Sequence, residues 1–189
     1  MKSIILNDTV MVSDPCYTDP TWCQQKLTDV LPGEYLTTAF KTDNTDGWGT
    51  RCAALVAVHK DYTEDTLAWR AVNTAHIGVD SGQAGIFSYD TYRKDDHFKT
   101  EVSEFNKSYK GWKDDGGEQW YGHMCDRTLS GEQWGTYSHG VVSSSGFGDG
   151  GYKLLVAKHK GKIVGIAIDY FVLKLKAGDF NLIIQGEFA

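Results

Sequence analysis

No stretch of this sequence is apolar for long enough to cross a bilayer as a helix. The longest apolar run, Ile163 to Leu175, is interrupted by Asp169 and Lys174, whereas a spanning helix needs about 20 apolar residues. The run nearest the start, Ile4-Ile5-Leu6, is shorter than the roughly 7–15 residues of a secretory core. A cytoplasmic chain with no membrane partner is therefore expected. Cysteine is sparse. Cys16, Cys23, Cys52 and Cys125 form no CxxC pair, which argues against a zinc ribbon or a thioredoxin-like motif. In a reducing compartment they are thiols, and a Cys16–Cys23 bridge is the one conceivable exception. The six histidines show no HxxxH or HExxH spacing, so no metal is assigned. Positive charge is also in deficit: 19 Lys and Arg stand against 25 Asp and Glu, a net charge of -6. A nucleic-acid partner normally requires a basic face, so none is expected. There is no GxSxG elbow and no GxxxxGK[ST] phosphate loop.

What is present is a core. Apolar residues make up 41% of the 189 residues and aromatics 13%, far from the composition of a disordered chain. The length suits a single globular domain over 1–189, able to bury roughly 70% of the surface its unfolded form exposes.

Strands dominate the pattern. They are expected over Ile4–Val12 with a turn at Asn7-Asp8, and over Glu34–Lys41, Arg51–Lys60, Leu67–Val72, Ile77–Asp80, Ala84–Tyr89, Val141–Ser144 and Asn181–Gln185. Tyr152–His159 and Lys162–Leu175 form a hairpin about Lys160-Gly161. The second arm is apolar on both faces, so it is central in its sheet. Its length calls for a bend or bulge near Asp169, serving two sheets. A short helix is expected from Asp19-Pro20 to about Leu27, with Asp as cap and Pro at the first position. Phe98, Val102, Phe105, Tyr109 and Trp112 recur at spacings of four, three, four and three, predicting an amphipathic helix capped by Asp95 or Asp96. A weaker helix covers Glu118–Thr128. The class is α+β: mostly antiparallel β, as a two-sheet sandwich or a strongly bent sheet, with one clear amphipathic helix packed on it.

Chemistry concentrates in three breaks beside apolar strands. They carry Asp14 in Ser13-Asp14-Pro15-Cys16-Tyr17, Asp80 in Gly78-Val79-Asp80-Ser81-Gly82-Gln83, and Asp149 in Gly148-Asp149-Gly150. Loops on rigid strands are where sites usually sit. If the three meet, their carboxylates can hold a hard cation or a ligand's hydroxyls. The same motifs add Tyr17, Ser81, Gln83, Ser145 and Tyr152 as ligand-binding candidates. The competing reading is local, since Asp favours turns by bonding nearby amides. Likewise Gly146, Gly148, Gly150 and Gly151 fit a bulged turn or a close approach to a ligand. Arg51 and Lys153 are the nearest candidate phosphate partners by motif. A nucleophilic pair of His123 and Cys125 is disfavoured, because residues two apart on a helix point to different faces. Trp48, Trp112, Trp120, Tyr121, Trp134 and Tyr137 lie in polar, Gly-rich stretches and suit either a recognition surface or the wall of a core. No motif names a cofactor.

The segment Gly78-Val79-Asp80-Ser81-Gly82-Gln83-Ala84-Gly85-Ile86-Phe87 resembles a central motif of the DUF4241-like proteins of bacteria and their phages. Ser145-Gly146-Phe147-Gly148-Asp149-Gly150-Gly151-Tyr152 is similar to their C-terminal signature, with Asp169-Tyr170 as the acidic-aromatic pair ending the hairpin that follows. Ser13 to Tyr17 looks like an N-terminal motif of phage relatives. Phe171 to Ala189 departs from the pattern, because many relatives end near the acidic-aromatic strand. The resemblance implies an intracellular bacterial or phage protein and supplies no activity. The ranking is then a non-catalytic binding protein for a small polar ligand or host factor, next a protein interaction module, and last a metal-assisted hydrolase using the loop carboxylates.

Overall fold

Alternation of apolar and polar residues sends successive side chains to opposite faces of a strand. Here that alternation builds two stacked sheets. The computed structural model describes residues 1–44, 47–98, 101–108 and 117–188. Its strands are β1 (Lys2–Leu6), β2 (Val10–Ser13), β3 (Gln25–Leu27), β4 (Gly33–Asn44), β5 (Gly49–His59), β6 (Trp69–Val79), β7 (Gln83–Ser88), β8 (Trp134–Tyr137), β9 (Gly140–Ser144), β10 (Gly150–His159) and β11 (Lys162–Asp169). The helices are α1 (Glu104–Ser108), α2 (Glu118–Thr128) and α3 (Asp179–Gln185). A six-stranded sheet runs β1-β4-β5-β11-β10-β6, and a five-stranded sheet runs β3-β2-β7-β9-β8. Within both, the paired strands are antiparallel.

Three apolar layers hold this together. Between the sheets, Leu6, Val12, Leu55, Ile77, Ile86, Val141, Leu154 and Ile166 meet in one buried cluster. On the outer face of the six-stranded sheet, Val56, Val58, Trp69 and Val164 pack under Phe180, Ile183 and Ile184 of α3. On the outer face of the five-stranded sheet, Met11, Phe87 and Val142 pack under Trp120, Tyr121 and Met124 of α2. Each fully buried large apolar side chain contributes roughly 1.5–3 kcal/mol by leaving water. The order is helix, sheet, sheet, helix: an α+β fold dominated by antiparallel β.

Several local expectations change. Ile4–Val12 is two strands in different sheets, because the chain crosses the sandwich at Asn7-Asp8-Thr9, where Asn7 N donates to Ser88 Oγ and Val30 N to the Asp8 carbonyl. Leu67–Val72 and Ile77–Asp80 fall largely on one strand, β6, whose pairing jumps from Ala71↔Leu155 to His76↔Lys153. β11 is central, between β5 and β10. It ends at Asp169 and serves one sheet only. Its irregularity lies opposite Ala157 and Lys158, where pairing passes from Gly165 to Ile163 and skips Val164. That extra residue lets Ile163 and Ile166 both face the inter-sheet core.

The helix expected from Asp19 does not form. Tyr92 Oη donates to the Tyr17 carbonyl and Gln24 Oε1 takes the Thr21 N–H, so the 14–24 segment is held as a loop. Of the helix expected over 98–112, α1 is present, residues 101–103 are not helical, and Tyr109 and Trp112 lie outside the described residues. Asp95 does not start that helix. It opens a 3-10 turn, Asp95–His97, and its carboxylate accepts from Gly117 N and Trp120 N at the start of α2. The final strand is instead helix α3: Phe180, Ile183 and Ile184 share the i, i+3, i+4 face, and Gly186 closes it at φ +75°.

Candidate functional site

Ile77 and Val79 face the inter-sheet core. The alternation therefore turns His76 and Gly78 to the outer face of the six-stranded sheet. Gly78 pairs with Gly151 and Val79 with Gly150 across β6 and β10. Two glycines opposite one another leave a patch of sheet with bare backbone. The loop after β2 folds over it. Gly78 N donates to the Cys23 carbonyl at 3.1 Å, and a Cβ on Gly78 would sit 2.7 Å from both Cβ and Sγ of Cys23. Only glycine permits that approach.

The result is a cleft of about 290 Å³. Its floor is Gly78, Gly150 and Gly151. Tyr17, Thr21, Trp22 and Cys23 form one wall, and His76, Val79 and Asp80 complete the lining. Trp22 is 93% exposed and Asp80 is exposed, while Cys23 is buried. Burial, followed by hydrogen bonding with the side chains of Asp80 and Cys23, holds the Tyr17 phenol well above the usual tyrosine range. It therefore stays a neutral hydroxyl at any physiological pH.

The three Asp-bearing loops converge at this end of the sandwich. The link between the first two is the Asp14 carboxylate, fully buried. Oδ1 accepts from Cys16 N at 2.8 Å and Ser81 Oγ at 2.6 Å, and Oδ2 from Asp80 N at 2.8 Å and Ser81 N at 2.7 Å. The third loop joins through Ser145, whose N–H donates to the Gly82 carbonyl at 3.0 Å. Ser145 Oγ donates to the Gly148 carbonyl, and the Tyr152 hydroxyl lies 2.6 Å from the carbonyl oxygens of both Ser145 and Gly148. Gln83 is buried and turned away, with its amide against Cys125 Sγ and Thr128 Oγ1. The eight sequence candidates thus divide. Tyr17 and Asp80 line the cleft. Asp149 is exposed beside Gly150, just outside the lining. Asp14, Ser81, Gln83, Ser145 and Tyr152 make the internal bonds that hold the loops.

The chain matches no known family model, no curated protein and no solved structure.

The remaining candidates lie elsewhere. Neither Arg51 nor Lys153 lines the cleft. Lys153 pairs with both His76 and Asp169 and interacts with the Asp169 carboxylate. Arg51 stacks between the rings of Trp48 and Phe147, at 5.0 Å and 5.1 Å, and donates to the Gly146 carbonyl. Trp120, Tyr121, Trp134 and Tyr137 are buried walls of the core, whereas Trp48 is 70% exposed. His123 stacks on Phe98, with Nε2 against the Glu101 carbonyl. Burial, first, raises the Cys125 thiol. Burial and the Asp14 charge push Cys16 up as well. That direction is opposite to the one a nucleophilic thiolate needs. All four cysteines are free thiols. Among the described residues, no group of three or more His, Cys, Asp or Glu side chains is placed to hold a metal ion, and no helix is long and apolar enough to cross a membrane.

Sequence reasoning missed Trp22, His76 and the facing of Gly78 with Gly151. Nothing local signals that pairing, because it depends on strands 73 residues apart along the chain entering register.

Proposed function

We propose that this protein binds a small polar ligand, without transforming it, in the cleft floored by Gly78 and Gly151. The observation that carries the reading is that glycine pair. It leaves the sheet face clear of side chains beside a carboxylate, a neutral phenol and an exposed indole. Concave sites with a few placed polar groups are the usual form of a small-ligand site. The DUF4241-like character, the bacterial or phage origin and the cytoplasmic setting belong to the same proposal. They draw support from the motifs Gly78–Phe87 and Ser145–Tyr152, the segments that supply the cleft floor. The hydrolase reading loses support, because Asp14 spends its carboxylate on backbone amides and a hydroxyl.

Native mass spectrometry of the protein purified gently from its own cells tests the proposal. An adduct of a few hundred daltons, lost in the Asp80→Ala/Asp149→Ala double variant, is the expected result. A bare protein, or one carrying only another polypeptide, overturns it. In the latter case weight moves to an interaction module. The feature favouring that second reading is the Trp48–Arg51–Phe147 stack, since Trp and Arg dominate binding hot spots.

A further inference from the structure

The charge inventory of the cleft narrows the ligand class. Among its lining residues the one carboxylate is Asp80, the one imidazole is His76, and there is no Lys or Arg. Asp149 adds a second exposed carboxylate beside Gly150. The nearest cation along the floor strand, Lys153, pairs with His76 and is not among the lining residues. Phosphates and carboxylates are usually gripped by Arg, Lys or clustered amide donors, and this cleft offers no such cation. Two aromatic faces stand here instead, Tyr17 on the wall and the 93% exposed Trp22. An indole face beside a carboxylate is the arrangement that attracts an organic cation. The volume, about 290 Å³, lies at the lower edge of the roughly 300–1,000 Å³ typical of ligand pockets. That size suits a small molecule.

Resting on the binding reading above, we infer that the ligand is a small organic cation, an ammonium or guanidinium on a short body. Its charge lies between Asp80 and Trp22, and its body rests on the Gly78–Gly151 floor. Tyr17 adds a second ring and a hydroxyl to the same lining.

The test is calorimetric titration with choline, tetramethylammonium and agmatine, against 3,3-dimethylbutan-1-ol as a neutral isostere of choline and inorganic phosphate as an anion. Saturable binding of at least one cation is expected, with no binding of the alcohol or of phosphate. Asp80→Asn should weaken it at least about tenfold, and Trp22→Leu about three- to thirtyfold. Both side chains are exposed, and circular dichroism verifies that each variant folds. Absence of binding by every cation, equal binding of the neutral alcohol, or preference for phosphate overturns the inference. The parent reading fails separately. A cell-derived adduct that is neutral or anionic, yet lost in Gly151→Leu, overturns the cation and leaves the site. No adduct and no cation binding removes both.

Discussion

The Asp14 carboxylate holds Ser81 twice, taking its hydroxyl at 2.6 Å on one oxygen and its backbone N–H at 2.7 Å on the other. The two residues are 67 positions apart, so this contact ties the loop after β2 to the turn between β6 and β7. A buried carboxylate with four donors is stable only while all four remain. Asp14→Ala leaves the amides of Cys16, Asp80 and Ser81 without their acceptor. A loss of about 3 kcal/mol or more is expected, at roughly 1.5–3 kcal/mol for each hydrogen bond to a charged group with partial compensation by water. Chemical denaturation measures it, and an unchanged midpoint would contradict the structural role.

Gly78 and Gly151 face each other but are not equivalent. A Cβ on Gly78 meets Cys23 at 2.7 Å, whereas one on Gly151 meets only His76, at 3.6 Å. Gly78→Ala should therefore destabilise by about 1–3 kcal/mol, the usual cost of overpacking. Gly151→Ala should stay within about 0.5 kcal/mol of the parent, as surface substitutions usually do. Parallel thermal melts read the difference.

Burial pushes the Cys52 thiol up to about 11 and raises Cys16 and Cys125 in the same direction. At pH 8 these three are protonated, and thiolate is the reactive form. Alkylation of the native protein followed by peptide mapping should leave all three unmodified, with full labelling only after denaturation. Rapid native labelling of Cys16 would show that the 14–24 loop opens.

Burial also raises the Asp169 carboxyl, partly offset by the Phe171 N–H and then by Lys153. A folded-state pKa above the unfolded one means that the native state holds the proton more tightly. The contribution to stability is thus fully present below the unfolded pKa and is lost as pH rises through the folded one. Asp169→Asn keeps an acceptor for Phe171 N, which bonds Oδ1 at 2.9 Å, and removes the buried charge. Its melting temperature should exceed the parent's at neutral pH, and the gap should close on acidification through the carboxylate range. A gap constant with pH would refute the assignment.

The sandwich was legible wherever pattern alone decides. The β10–β11 hairpin follows from its two apolar arms and the Lys160-Gly161 turn, and α2 from its own composition. α3 is not legible in the pattern, because adjacent Ile183 and Ile184 favour a strand while the decisive Phe180–Ile183–Ile184 spacing spans barely one turn. The segment after Phe98 carries helical spacing, yet Val102 is exposed and Asp95 caps a different helix. In the site, motif reading located the right loops. It could not separate Asp14, which builds them, from Asp80, which faces the cleft, because both are aspartates in turns. Trp22 was passed over because exposure is a property of packing and not of sequence.

The bare floor made by Gly78 and Gly151 is where the ligand sits under this proposal. The most direct measurement is native mass spectrometry of the parent, Gly151→Ala and Gly151→Leu proteins prepared side by side from the source cells. A small-molecule adduct is expected on the parent and absent from Gly151→Leu, with all three melting within a few degrees of each other. An adduct carried equally by Gly151→Leu would place the ligand away from the Gly78–Gly151 floor.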